Sequence, residues 1–199
     1  MITKQRLSLD EVVPGETYED CLFLYSSERI HVDSVKFKNC EFQQTDFSDS
    51  EWLDCQIESC HFLNNDFSSS VFYRTIFNKC QLMGTDFSNN HWKNTIIIDS
   101  KADYLNLSGS KIETSQFEKS SLVSSYFQNM QIKKGLKFTQ CELDKADFLD
   151  TDLVGVDISK SFFETLNVTI DQVRGCIISP VQAIAFISLL GVKINDEDF

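Results

Sequence analysis

The chain is poor in turn residues, with 7 Gly and 2 Pro among 199 residues. No run approaches the ~20 apolar residues that cross a bilayer. The opening, MITKQRLSLDEVV, lacks the long apolar stretch of a secretory signal. Basic residues are the minority, 18 against 30 acidic, and the net charge is −12. These absences argue against a membrane span and against nucleic-acid binding, which needs a basic footprint. They point to a soluble, cytoplasmic protein.

Chemistry is equally thin. The three His are His31, His61 and His91. His31 and His91 share an outward column three coils apart, and His61 lies on another side. No Ser/His/Asp or Cys/His constellation and no phosphate-cradling Gly loop is present. The reading is a non-enzyme without metal or cofactor. The seven Cys, an odd number in a chain without a secretion signal, read as free thiols.

What is abundant is Phe, 17 residues. So many rings, with so few turn residues, require a regular device for burial. Stepping by five from Phe37 reaches Phe42, Phe47, Trp52, Ile57, Phe62 and onward to Ile132. After a one-residue insertion in Lys133–Lys137 the series resumes at Phe138 and runs to Val168. Of 27 such positions, 26 are large and apolar, and Ala102 is the exception. A second position, two residues earlier, is mostly small: Cys40, Thr45, Ser50, Cys55, Cys60, Ser70 and so on to Thr151. Each five-residue unit therefore points one large and one small side chain inward. Neither the helical period of 3.6 nor the strand period of 2 fits.

A longer period supplies the number of sides. Cys40, Cys60, Cys80 and Cys141 fall in one column of a twenty-residue alignment, and Trp52, Phe72 and Trp92 in another. Twenty residues make one coil of four sides, stacked about 4.8 Å apart. The expected fold class is all-β: a right-handed quadrilateral β-helix with a C-terminal capping α-helix. Nearly seven coils give a rod of roughly 30–35 Å, and a further coil begins near Cys21.

The units TDFSD (45–49), NDFSS (65–69), TDFSN (85–89), ADFLD (146–150) and TDLVG (151–155) resemble the repeat of the pentapeptide-repeat family. The resemblance covers about residues 17–168. It divides the chain into a cap segment 1–16, a solenoid 17–170, and a helix with tail at 171–199. Ser179-Pro180-Val181-Gln182 reads as a capping box with Pro at the first helical position, and Gly191 as a stop. The helix between them is apolar on more than one face. One face covers the open end of the last coil. Val181, Ile184, Phe186, Ile187 and Leu190 are assigned to a homodimer interface, an arrangement that similarity to the quinolone-resistance group implies.

Asp46, Asp66, Asp86 and Asp147 form a further column just before the central residue. Such carboxylates bond neighbouring backbone at a corner, and they also set the surface potential. Charge is uneven along the rod. Residues 138–171 hold 8 acidic and 2 basic residues, whereas 101–137 hold 3 and 6. The resemblance extends to quinolone-resistance and mycobacterial fluoroquinolone-resistance proteins, which implies a DNA mimic bound to DNA gyrase or topoisomerase IV. On that reading Asp147, Asp150, Asp152 and Asp157 form a central acidic patch, and Asp46, Asp66 and Asp86 are outer contacts. The alternative is an interaction scaffold for some other protein.

Overall fold

The computed structural model describes residues 1–192; the expected tail beyond Val192 lies outside the described residues. The chain winds as a right-handed four-sided β-helix, and every ladder is parallel. Face 1 is a nine-stranded ladder that starts at Ile2–Thr3 and ends at Asp157–Phe162. Face 4 is a six-stranded ladder from His31–Asp33 to Gln131–Lys134. Face 2 begins with Arg6–Ser8, Leu22–Leu24 and Glu41–Phe42 and continues as single bridges through His61, Gln81, Lys101, Ser121 and Glu142. Face 3 is the bridge column Asp46, Asp66, Asp86, Asn106, Tyr126 and Asp147. The register is twenty residues: Phe37 sits on Ile57, and Phe72 on Trp52 and Trp92.

The rod is longer than nearly seven coils. Ile2–Thr3 pairs in register with Tyr18 and Glu19, and Arg6–Ser8 with Leu22–Leu24. Residues set apart as a cap segment thus start the ladder. At the other end Ile177 bridges Asp157, so the ladder continues past 170. Nine rungs at 4.8 Å give about 38 Å.

The inward positions stack ring on ring. Phe47 and Phe67 lie 4.6 Å apart between centroids at 8°, and Phe117 and Phe138 lie 5.0 Å apart at 5°. Rings of adjoining sides meet edge to face, as Phe62 and Phe67 do at 72°. Both geometries are favoured by the aromatic quadrupole.

The small inward residues are selected for hydrogen bonding as well as size. Ser70 Oγ accepts the Ser50 N–H at 2.9 Å, Ser110 Oγ the Asn90 N–H at 2.9 Å, and Ser120 Oγ the Ser100 N–H at 3.1 Å. The hydroxyls also donate inward: Thr75 Oγ1 to Trp52 O at 2.8 Å and Ser125 Oγ to Ala102 O at 2.9 Å. Cys thiols do the same, as Cys80 does to Ile57 O at 3.3 Å.

Most corners are turned by one residue in left-handed backbone. Among the described residues there are 22 non-glycine examples, from Lys4 to Asp150, with φ between 47° and 60°. An L residue there costs about 1–2 kcal/mol, least for Asn and Asp. The column therefore favours Asn39, Asp49, Asn64, Asn89 and Asn129.

Three places depart from the repeat. Thr45, read as inward, is exposed, and Gln44 is buried instead. The irregular segment below offers no rung there, and Gln44 Oε1 caps the Ser26 N–H at 3.2 Å. The insertion resolves as a bulge at Lys133: Ile112 pairs with Ile132 but Glu113 with Lys134. Finally, Trp52 Nε1 donates to Ser50 Oγ at 2.8 Å, but Trp92 faces a different residue, Asn90. Asn90 Oδ1 already accepts the Ser70 N–H at 2.7 Å. Its Nδ2 and Trp92 Nε1 are the two buried side-chain polar atoms without a partner among the described residues.

The capping helix is shorter than the sequence suggests, Ala183–Ile187 followed by a 3-10 turn Ser188–Leu190. Its box is formed: Gln182 Oε1 accepts the Ser179 N–H at 2.8 Å. Gln182 Nε2 then donates to Ile158 O at 2.8 Å and Ser161 O at 2.7 Å, closing carbonyls of the last coil.

Two substitutions test this interior. Gln182→Ala leaves those buried carbonyls unpaired and should lower stability by about 1–3 kcal/mol. Asn90→Ser installs the acceptor used at the Ser50 position and should raise stability by about 1 kcal/mol. Urea unfolding followed by near-ultraviolet circular dichroism measures both, and unchanged midpoints would refute them.

Candidate interaction surface

The structure gives each Asp of the face 3 column a backbone task. Asp46 Oδ1 accepts the Ser48 N–H at 3.0 Å, Asp66 Oδ1 the Ser68 N–H at 2.7 Å, Asp86 Oδ1 the Ser88 N–H at 2.8 Å, and Asp147 Oδ1 the Leu149 N–H at 2.9 Å. Asn106 does likewise for Ser108 at 3.0 Å, so the turn needs the oxygen and not the charge. Asp147 Oδ2 accepts from Gln128 and Asn167, each at 2.8 Å. The carboxylates are thus held in fixed poses along one face of the rod.

Asp150, Asp152 and Asp157 do not join that face. Asp150 turns the corner between faces 3 and 4 with φ 59°. Asp152 lies on face 4 and Asp157 on face 1, each accepting the N–H two residues on at 3.0 Å. Only Asp147 of the four assigned to a central patch stands in the column. On face 2, Asp144 Oδ1 accepts the Glu164 and Thr165 N–H groups at 3.1 and 2.9 Å. The acids of the last coils therefore form a girdle around the rod.

Hydrogen bonding holds several of these groups ionised. The Ser48 N–H and hydroxyl lower the pKa of Asp46. The Ser159 hydroxyl and N–H do so for Asp157, and the Thr165 N–H for Asp144.

Face 4 differs. His91, Lys93, Lys111 and Lys133 line a shallow groove with Leu53, Val71 and Tyr73. Lys93 pairs with Glu113 at 3.4 Å, and Arg74 pairs with Asp54 and lies 4.2 Å over the Tyr73 ring. The basic band read from residues 101–137 is thus partly gathered on one face.

The Cys column is interior. Cys40, Cys60, Cys80 and Cys141 are buried. Burial pushes the Cys55 and Cys80 thiols up to about 12 and Cys141 up to about 11. They are neutral donors. Among the described residues no cluster of His, Cys, Asp or Glu is placed to hold a metal ion. No described helix is long and apolar enough to cross a membrane.

At the C-terminal end Val181, Ile184 and Leu190 are 80%, 58% and 63% exposed. Ile187 is half-buried. Phe186, assigned to the dimer face, instead meets Phe163 of its own last coil at 5.8 Å. The helix end needed Phe186 to close the Phe stack.

Repeat, register and corner geometry together define a four-sided parallel β-solenoid of five-residue units. Residues 69–148 match the family described as pentapeptide repeat region. Among solved structures, a trypsin-treated form of QnrB1, a plasmid-mediated fluoroquinolone resistance protein, is similar: 18% identity over 96% of this chain and 100% of that one, with TM-score 0.52. A second trypsin-treated form gives 19% identity, 98% coverage of both chains and TM-score 0.46. HetL, a pentapeptide repeat protein involved in heterocyst differentiation regulation from a Nostoc cyanobacterium, gives 10% identity over 89% and 83%, with TM-score 0.36. No curated protein matches.

The lowered carboxyl values fix the sign of an acid effect. A depressed folded-state pKa adds stability above the ordinary carboxylate value of about 3.9, and that stability is lost as pH falls through the folded value. The melting temperature should fall between about pH 5 and pH 3. The triple variant Asp46→Asn, Asp144→Asn, Asp157→Asn should flatten that slope in a calorimetric pH series.

Proposed function

We propose that this chain acts without catalysis, as a DNA mimic that binds a type II topoisomerase, DNA gyrase or topoisomerase IV, and modulates its response to quinolones. The observation that carries the reading is the fixed register of outward carboxylates. Asp46, Asp66 and Asp86 stand one per coil, about 4.8 Å apart, against about 3.4 Å between phosphates of one DNA strand. Their backbone hydrogen bonds pre-set the array, so little side-chain entropy is lost on binding. The topoisomerase is chosen as partner from the sequence resemblance and from the kinship in fold to a fluoroquinolone resistance protein. Unlike the quinolone-resistance group, this chain has no long inserted loops; the Lys133 bulge is one residue. Simple occupancy of a DNA-binding surface is therefore favoured over loop-dependent drug protection.

The exposed Val181, Ile184 and Leu190 support a homodimer joined end to end through the helix. Such a dimer brings two acidic girdles to the centre. A second reading, a scaffold for another protein, is favoured by one feature: the Lys-lined groove on face 4 is unlike DNA.

Supercoiling by gyrase, with and without a fluoroquinolone, tests the first reading. Inhibition or protection is expected at micromolar protein; neither would reject it. The quadruple variant Asp46→Asn, Asp66→Asn, Asp86→Asn, Asp147→Asn removes the charge of the face 3 column and keeps the turn acceptors. It should fold normally and bind about thirtyfold more weakly, from roughly 0.5 kcal/mol per exposed charge. In light scattering, Val181→Lys with Ile184→Lys should convert a dimer to a monomer.

A further inference from the structure

The edge between faces 2 and 3 carries a feature that an acidic array does not account for. Leu63 and Met83 follow one another up face 2, the Asn64 N–H donating to Met83 O at 3.0 Å. One rung on, Tyr104 occupies the corner between the faces. Another rung on, Tyr126 interrupts the Asp column and bridges Asn106. The four side chains are 50%, 36%, 55% and 44% exposed.

Tyr104 is out of place by the rules of its own column. Its φ is 60°, a conformation that a bulky L residue adopts only under constraint. Equivalent corners one rung to either side use Gly84 and Ser124, and two rungs away Asn64 and Lys145. Tyr104 alone places an exposed aromatic ring at this corner among these five rungs.

We propose that Leu63, Met83, Tyr104 and Tyr126 form the apolar anchor of the interface with the cationic partner. The inference rests on the topoisomerase reading and adds to it. Its occupant follows from charge complementarity. Asp46, Asp66 and Asp86 flank the ridge toward one end of the rod, and Asp144 and Asp147 toward the other. A partner seated on the ridge lies over both acidic sets, so it presents an apolar recess rimmed by Lys or Arg. Tyr and Met are enriched at interface centres, within a polar rim. The two parts differ in salt dependence: exposed charge pairs are screened, and apolar burial is not.

The test uses the full chain and the intact gyrase tetramer, with affinity measured at low and high salt. Tyr104→Asn and Tyr126→Asn place the amide already used by Asn64 and Asn106 in the same columns. Tyr104→Asn should unfold at equal or higher urea, while each variant binds about tenfold more weakly, with the loss persisting at high salt. A drop in the stability of Tyr104→Asn would overturn the strained-corner premise, and Tyr126→Asn with Met83→Gln then decides the anchor. If these variants bind as the parent does while the Asp→Asn set binds weakly, the anchor is overturned and the topoisomerase reading stands. If the parent itself does not bind at low salt, both are overturned.

Discussion

Everything in this molecule depends on how the chain disposes of its backbone polar groups at the corners. A coil about 4.8 Å thick that turns four times in twenty residues has no room for a conventional hairpin. Most turns are made by one left-handed residue, and the exposed N–H and C=O groups must find partners in the neighbouring coils. The inward Ser, Thr and Cys side chains supply them from inside, and on face 3 the Asp or Asn before the central residue accepts the N–H two residues on from outside. Phe stacking fills the space that this frame leaves.

The frame separates inside from outside almost completely. Three of five residues face water, and their identity barely affects the core. That freedom explains how one rod carries an acidic face, a girdle of carboxylates and a groove lined by Lys. It also explains why a likeness at 18% identity informs about shape and leaves the partner to be argued from the surface.

The four-sided coil was legible in the sequence because burial repeats with a fixed period at Phe37, Phe42, Phe47 and their successors. The Cys column was placed inside correctly for the same reason. Less legible was whatever depends on three-dimensional neighbours. Thr45 and Gln44 exchange roles because of an irregular segment around Ser26, eighteen residues before Gln44. The first rungs were overlooked because their spacing falls short of twenty: Ile2 pairs with Tyr18 and Leu7 with Phe23, each sixteen residues on. The Asp residues of the last coil, close in sequence, were read as one patch. A four-sided coil sends residues five apart to different faces, so Asp147, Asp152 and Asp157 look in three directions. Phe186 matched the amphipathic pattern of an interface residue, but pattern alone does not say which apolar face meets its own chain.

The bulge at Lys133 has a meaning beyond local geometry. A stack of near-identical coils invites a counting error during folding: a segment displaced by twenty residues would find almost the same rings and hydroxyls waiting for it. One extra residue in a single rung makes the strands on either side of it inequivalent. A segment displaced by twenty residues across Lys133 would set the extra residue against a rung that has no bulge to receive it.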